Sequence, residues 1–555
     1  MRKVTAQGLA KAPFPLPDVV TKVVPAPTEG WDAISPLASM DPKRAPVLTN
    51  WVCRPGWVEL RAGATPWSWV GSDNPVESLF AYRATTEKLF AASAGSIYDV
   101  SNLGQADPVV TGMTTARWEY VEFTPANAAT VIQLVNGIDP LQMYNGTTWS
   151  VPSITGFPGG LNTSNIFNIA SQKRRLWYIM GNGTGGRSTR ACFMPTDAIQ
   201  GPIAGTLDLG ALWNDGGYLV AMANWTIDGG AGPQDYAAFI SSEGQISIYS
   251  GTDPTSPTNW SLVGTFNLAP PISDRCVLKV GADVAVITQQ GVIPLSQALP
   301  FDPSSDRSVA ITARIQNAMA LYSMQAKNNF GWQVISYPDQ QLAIVNVPIT
   351  ENELQYQLVM NALTGAWSLF NGWNANVFEI YNNDLYYGAN DGTVVLAYDG
   401  GLDIGLPIQA DMQCAFNYFD DPGRTKRVTM LQPLLVAGGN ITPTLSVDED
   451  FAISSSTAPI TILTGGAVWD TARWDVDTWP DASQVVKNWQ SVTAIGHALA
   501  VHMSVNLATT SMYSVTSEFD IAEFDIAVFD QGLANIAPQL QVNAFNAVME
   551  MGGFI

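Results

Sequence analysis

Histidine is almost missing from this chain of 555 residues, which holds only His497 and His502, and cysteine is scarce, with four in all. Cys53, Cys192, Cys276 and Cys414 stand singly and far apart. They form no Cys-x-x-Cys unit and no disulfide framework, so reduced, buried thiols are expected. The two histidines lie five residues apart in one alternating segment; on a strand that spacing turns them to opposite faces, which excludes a paired metal site. Basic residues are few as well: 26 Lys and Arg stand against 48 Asp and Glu, for a net charge of −22. A tight DNA binder draws its affinity from Lys and Arg against phosphate, and this balance excludes it. No uninterrupted apolar run approaches the ~20 residues of a membrane span, and Met1 to Gly8 lack the apolar core of a signal peptide, so assembly in a cytoplasm is expected. Gly-x-Ser-x-Gly, His-Glu-x-x-His and phosphate-loop motifs are missing too. Gly181-Asn182-Gly183-Thr184-Gly185-Gly186 is followed by no Lys-Ser/Thr and reads as a loop tip. No catalytic, cofactor or metal site is expected.

What the chain has in quantity is turn residues and aromatics: Gly 47, Pro 35, and 18 Trp, 17 Tyr and 21 Phe, enough for two to four β-rich domains. Tyr144-Asn145-Gly146 precedes Trp149-Ser150; Tyr249-Ser250-Gly251 precedes Trp260-Ser261; Trp367-Ser368 and Tyr398-Asp399-Gly400 repeat the pieces. Each echo places a tight turn between alternating runs, at spacings of roughly 40 to 60 residues, the period of a β-propeller blade. The expected fold is therefore mainly β: a propeller of six or seven blades with a flanking β platform built from N- and C-terminal segments. Residues 1–30, rich in proline, read as an extended arm that is ordered only where it lies on something, or as a loose tail. Residues 31–75 open the platform. Residues 76–404 carry the propeller, with a possible insertion at 181–233, and 405–555 complete the platform.

Charge is uneven. Residues 428–555 hold 13 acids and two bases, Arg473 and Lys487, a net of −11, whereas the first 75 residues hold eight bases and six acids, a net of +2. Two aromatic ladders of period five, Trp469, Trp474, Trp479 and Phe519, Phe524, Phe529, each flanked by Asp, suit a subunit or partner contact with a wet rim, or else a plain sheet. Lys173-Arg174-Arg175 and Arg424-Thr425-Lys426-Arg427 adjoin strong strand patterns in an acidic chain, which favours salt bridges over phosphate contacts.

Several ordered blocks are similar to the tail nozzle proteins of short-tailed bacteriophages, also called tail tubular protein B or tail hub. They are Trp31-Asp32 through Arg54-Pro55-Gly56-Trp57-Val58-Glu59-Leu60-Arg61; Gly216-Gly217-Tyr218 with Trp225-Thr226-Ile227-Asp228; Asn329-Phe330-Gly331-Trp332; Asn361 to Trp367; and Ala415 to Met430. The resemblance implies a non-enzymatic virion protein of the tail, assembled in the host cytoplasm. It implies a homo-hexamer below the portal and adaptor, forming the distal DNA ejection channel, with docking surfaces for tail fibres or spikes. Double-stranded DNA would pass without tight binding, and residues 181–233 would be a nozzle tip or a long loop. On that reading Asp448, Glu449 and Asp450 belong to an acidic channel wall that repels phosphate. The competing reading is a non-enzymatic receptor- or carbohydrate-binding propeller, with a propeller glycosidase behind it, since Asp253 to Trp260 faintly resembles the Asp-box turn of sialidases.

Overall fold

The computed structural model describes residues 18–84, 86–126, 128–228, 233–280, 283–298, 310–437, 443–452, 458–459, 484–506 and 540–554. Strands dominate. The helices among these residues are short, the longest being Gln316–Ala326, and none is long and apolar enough to cross a membrane.

The turn repeats read from the sequence mark local antiparallel meanders. The first runs Val76–Tyr82, Lys88–Ser93, Ser96–Asp99 and Pro108–Val110. The second begins at Glu119–Phe123 and ends at Trp149–Ser150; the third runs from Ile166–Gln172 to Gly205–Asp208, and the fourth from Leu219–Asp228 to Trp260–Asn267. A three-stranded fifth begins at Val277–Val280 and a sixth at Gln333–Tyr337. The seventh begins at Ala375–Tyr381, and its outer place is taken by Ala64–Trp69, a strand that precedes the first meander in the chain. Tyr-x-Gly closes the third strand and Trp-Ser opens the fourth in the second and fourth meanders, as the register Tyr144↔Trp149 and Gly251↔Trp260 records. The segment 181–233 carries Arg187–Phe193 and Gly205–Asp208 of the third meander and opens the fourth.

Every sheet among the described residues has an open strand order, and none closes on itself. The expectation of a closed β-propeller of six or seven blades is corrected accordingly: the mainly-β content stands, and the sheets are open. The physical reason is that a hairpin repeat specifies neighbouring strands only, whereas closure depends on pairings between distant segments, which the repeat does not encode.

Pairings between distant segments do occur at the two ends of the chain, where they extend open sheets rather than close one. Asp18–Pro25 lies antiparallel on the chain's own C-terminal strand, Leu540–Phe554, in register from Asp18↔Met551 to Pro25↔Ala544. Leu540–Phe554 also pairs with Arg424–Ala437, which pairs in turn with Gln484–Val486 and Gln490–Gly496. This terminal sheet buries one face, with Leu431, Leu435, Val542, Phe545 and Met549, against the sheet containing Leu445, Met503 and Val505. Alternation along each strand places apolar side chains inward at every second position, and that burial drives the packing.

Lys173, Arg174 and Arg175 pair with Asp235, Asp197 and Asp253. Lys426 is fully buried, and its ammonium is met by the carbonyls of Arg424 (2.8 Å), His497 (2.9 Å) and Asp421. All four cysteines are free and buried, and burial pushes the Cys53 and Cys414 thiols up to about 12. At that value they carry no thiolate near neutral pH.

Candidate functional site

The first strands of all seven meanders converge on one cavity of about 250 Å³, receiving Leu79, Glu119 and Tyr120, Asn168, Met222, Val277, Gln333, and Glu379 in turn. A first strand is the edge of its sheet, so part of its backbone has no ladder partner and must be satisfied from the cavity side. Side chains do this. Gln333 Nε2 donates to Phe378 O (2.9 Å) while its Oε1 accepts from Phe378 N (2.8 Å), tying the sixth meander to the seventh. Arg275, ahead of the fifth, donates to Trp118 O (2.9 Å), Ser78 Oγ (2.9 Å) and Glu119 Oε1 (3.0 Å), and so reaches the first and second.

Ion pairs complete the arrangement. Arg83 donates to Glu379 Oε1 (2.5 Å) and Tyr120 Oη donates to Glu379 Oε2 (2.7 Å). Arg117 bridges Glu77 and Glu351, and Arg187 pairs with Asp274. The guanidiniums of Arg117 and Arg275 both lie over the Phe330 ring, at 4.3 and 5.0 Å from its centroid, a cation–π stack that orients them. Burial raises the pKa of Glu119 and of Glu379 against the lowering pull of Arg275 and Arg83. Burial raises Tyr120 as well, with Glu379 adding to it, so the phenol remains a donor. Each charged group at the cavity is thus spent on a neighbouring sheet, which leaves an ionic lock rather than a free acid and base.

A second cluster lies in the C-terminal part. His502, 6% exposed at its side chain, sits between Asp411 and Asp448: Nε2 is 2.6 Å from Asp411 Oδ1, and Nδ1 is 3.1 Å from Asp448 Oδ2, an ion-pair contact off the line of a hydrogen bond. Three paired strands, Gln409–Gln413, Leu499–Asn506 and Pro443–Glu449, hold this arrangement, and Gln413 Nε2 donates to Asp448 Oδ2. Burial alone would lower the imidazole pKa, but the two carboxylates raise it to about 10. Because that exceeds the unfolded value of 6.5, the stabilisation is complete below pH 6.5 and is lost as pH rises through about 10. The expected loss across this window is on the order of 3 kcal/mol once screening at the half-exposed Asp411 is allowed for. Urea unfolding of the wild type and of His502→Gln at pH 6, 8 and 10.5 checks it: the gap between them should shrink as pH rises, and a constant gap would contradict the linkage.

Of the acids expected on a channel wall, Asp448 is fully buried beside His502. Glu449 accepts from the backbone N–H of Ile495 (2.6 Å), and Asp450 from those of His497 (2.7 Å) and Ala498 (2.9 Å). Trp469, Trp474, Trp479, Phe519, Phe524 and Phe529 lie outside the described residues. Among the described residues no group of three or more His, Cys, Asp or Glu is placed to hold a metal ion. Sequence reasoning missed the cavity cluster, because Arg83, Arg117, Arg187 and Arg275 are dispersed along the chain and only the convergence of edge strands brings them together.

No family model and no curated protein matches this chain. Among solved structures it is similar to Raptor from Chaetomium thermophilum, at 9% identity and a TM-score of 0.36, covering 60% of this chain and 29% of that one. It is also similar to Sqt1 from Saccharomyces cerevisiae, at 8% identity and a TM-score of 0.33, covering 60% of this chain and 99% of that one. Likenesses this weak assign neither fold nor activity. No viral-tail homologue was found, so the resemblance to tail nozzle proteins is corrected. The DNA ejection channel goes with it, since no sheet among the described residues closes to form one. The receptor- or carbohydrate-binding propeller and the propeller glycosidase are corrected, as propellers, on the same ground.

Proposed function

We propose that this protein is a non-catalytic β scaffold that acts through its outer surfaces, with the central cavity serving as the lock that holds its meanders together. One observation carries the reading. At the cavity the carboxylates of Glu119, Asp274 and Glu379 are each bonded to an arginine from another part of the chain. General acid–base work needs a group free to exchange its proton with a substrate, and a nucleophile needs a base beside it. Carboxylates held this way instead contribute cohesion between sheets, and removing one partner leaves a buried charge uncompensated.

Glu119→Gln and Glu379→Gln are expected to lower the unfolding free energy by about 1–3 kcal/mol each, measured by urea denaturation. The wild type is expected to turn over none of a panel of chromogenic glycosides, phosphate esters and carboxylic esters. Turnover of any of these that disappears in Glu119→Gln or Glu379→Gln, with the circular dichroism spectrum retained, overturns the scaffold reading.

A further inference from the structure

We propose that the joint between the sixth and seventh meanders is an internal binding site for one water molecule, which accepts a hydrogen bond from Asn376 Nδ2 and donates one to Gln357 Oε1. Gln355 and Gln357 lie two positions apart on Leu354–Asn361, so both point to one face of the sixth meander. Asn346 stands directly opposite Gln357 on the neighbouring strand, Leu342–Thr350. Asn376 belongs to Ala375–Tyr381, the first strand of the seventh meander, and falls at a register shift between Ala375 and Val377. A bulge of this kind re-aims a side chain. All four amides are fully buried. The apolar core shared by the two meanders, with Ile344, Val359, Trp373 and Phe378, adjoins them.

A buried amide is costly unless its polar atoms are bonded, so each atom can be followed to its partner. Asn346 Nδ2 donates to Gly331 O (2.8 Å) and Ala375 O (2.8 Å), which leaves Asn346 Oδ1 to accept from Gln357 Nε2 (3.0 Å). Gln357 Nε2 also donates to Trp373 O (2.9 Å). Turning the Gln357 amide over would set its oxygen against two other oxygens, so its orientation is fixed. Gln355 Nε2 donates to Asn376 Oδ1 (3.2 Å), and Gln355 Oε1 accepts from Asn390 Nδ2 (3.0 Å). One run of amides is thus bonded to Ala375 and the other to Asn376, its neighbour in the chain. Both runs end on an unbonded atom: among the described residues Asn376 Nδ2 meets no acceptor and Gln357 Oε1 no donor. Asn390 Oδ1 is a further unbonded acceptor on the same network.

These atoms identify the ligand. One donor and two acceptors, all neutral, suit neither an anion, which needs donors, nor a cation, which takes none. Water both accepts and donates, and three bonds are the usual complement of a buried water molecule. Its second hydrogen is then available to Asn390 Oδ1. Bound there, the water ties the third strand of the sixth meander to the first strand of the seventh, as Gln333 ties the first strands of the two.

A crystal structure of the full chain, at a resolution that shows ordered water, tests the site. One water peak is expected within about 3.2 Å of both Asn376 Nδ2 and Gln357 Oε1. In Asn376→Leu, which replaces the donor by an apolar group of similar size, the peak should be lost while Gln357 keeps its bonds to Asn346 and Trp373. A direct hydrogen bond between Asn376 and Gln357 in the wild type overturns the proposal. So does a wild-type map with no peak between them, or with a peak whose density and distances are those of an ion. Persistence of the peak in Asn376→Leu, with its contact to Gln357 unchanged, overturns it as well. Should that variant not fold, the wild-type map decides by itself. None of these outcomes touches the scaffold reading, which falls only by turnover.

Discussion

Replacing Arg61 by alanine is expected to lower the unfolding free energy by about 3–5 kcal/mol. Arg61 is fully buried. It grips Asp403 through two parallel bonds, Nη1 to Oδ1 (2.8 Å) and Nη2 to Oδ2 (2.6 Å), while Nε donates to Asn50 Oδ1 (2.9 Å) and Nη2 to Asn371 O (2.6 Å). The guanidinium also lies 4.9 Å from the Trp373 ring centroid, and the Trp373 indole donates to Asp403 (3.1 Å). The pair therefore ties the segment before the first meander to the end of the seventh. Nothing larger than glycine fits at position 372, where φ is 99° and a Cβ would lie 2.4 Å from Asp403 Oδ2. Alanine at 61 would leave the Asp403 carboxylate buried with one indole donor. The double variant Arg61→Met with Asp403→Leu removes both charges and is expected to cost less than Arg61→Ala alone. Urea denaturation of the wild type, Arg61→Ala, Arg61→Met, Asp403→Leu and the double variant decides it: a loss below about 1 kcal/mol for Arg61→Ala, or additive losses for Arg61→Met and Asp403→Leu, would show the ion pair to be incidental.

Trp177→Ala is expected to cost about 3–5 kcal/mol by cavity formation. Trp177 is buried between the third and fourth meanders, with ring centroids at 4.8 Å from Phe193, 5.5 Å from Phe239 and 5.7 Å from Trp260. Trp260 in turn stacks on Tyr249 at 5.5 Å, so the deletion opens one continuous aromatic cluster that bridges two sheets. Trp177→Phe keeps most of the ring contacts and is expected to cost roughly 1–1.5 kcal/mol. Hydrogen exchange supplies the spatial check: in Trp177→Ala, protection should fall first in Arg175–Gly181 and Pro233–Ser241. Loss confined to one of these two strands would place the cluster within a sheet rather than between sheets.

The echo of Tyr-x-Gly and Trp-Ser was legible because a hairpin is local: the turn at Asn145-Gly146 and the strand opening at Trp149 are a few residues apart, and the register Tyr144↔Trp149 follows from the turn. The turn at Lys173 and Arg174, both at positive φ between two strands, is local in the same way, whereas the acids that they bond, Asp235 and Asp197, lie 62 and 23 positions further on. By contrast, neither His502 between two aspartates nor the arginines at the cavity had a local signature. Asp411 and Asp448 reach His502 through strands that precede it by 91 and 54 positions, and no spacing rule links them.

By itself the sequence determined that this is a mainly-β chain of short antiparallel meanders with buried thiols and a strong acidic excess, since alternation, turn chemistry and charge are properties of neighbouring residues. Only the tertiary structure decided how the meanders are joined. The pairing of Val19 with Glu550, the grip of Arg61 on Asp403 and the convergence of seven edge strands on one cavity all link residues far apart in the chain. Such contacts are selected by the burial and hydrogen-bond satisfaction of the whole assembly, and no short stretch of sequence carries that information.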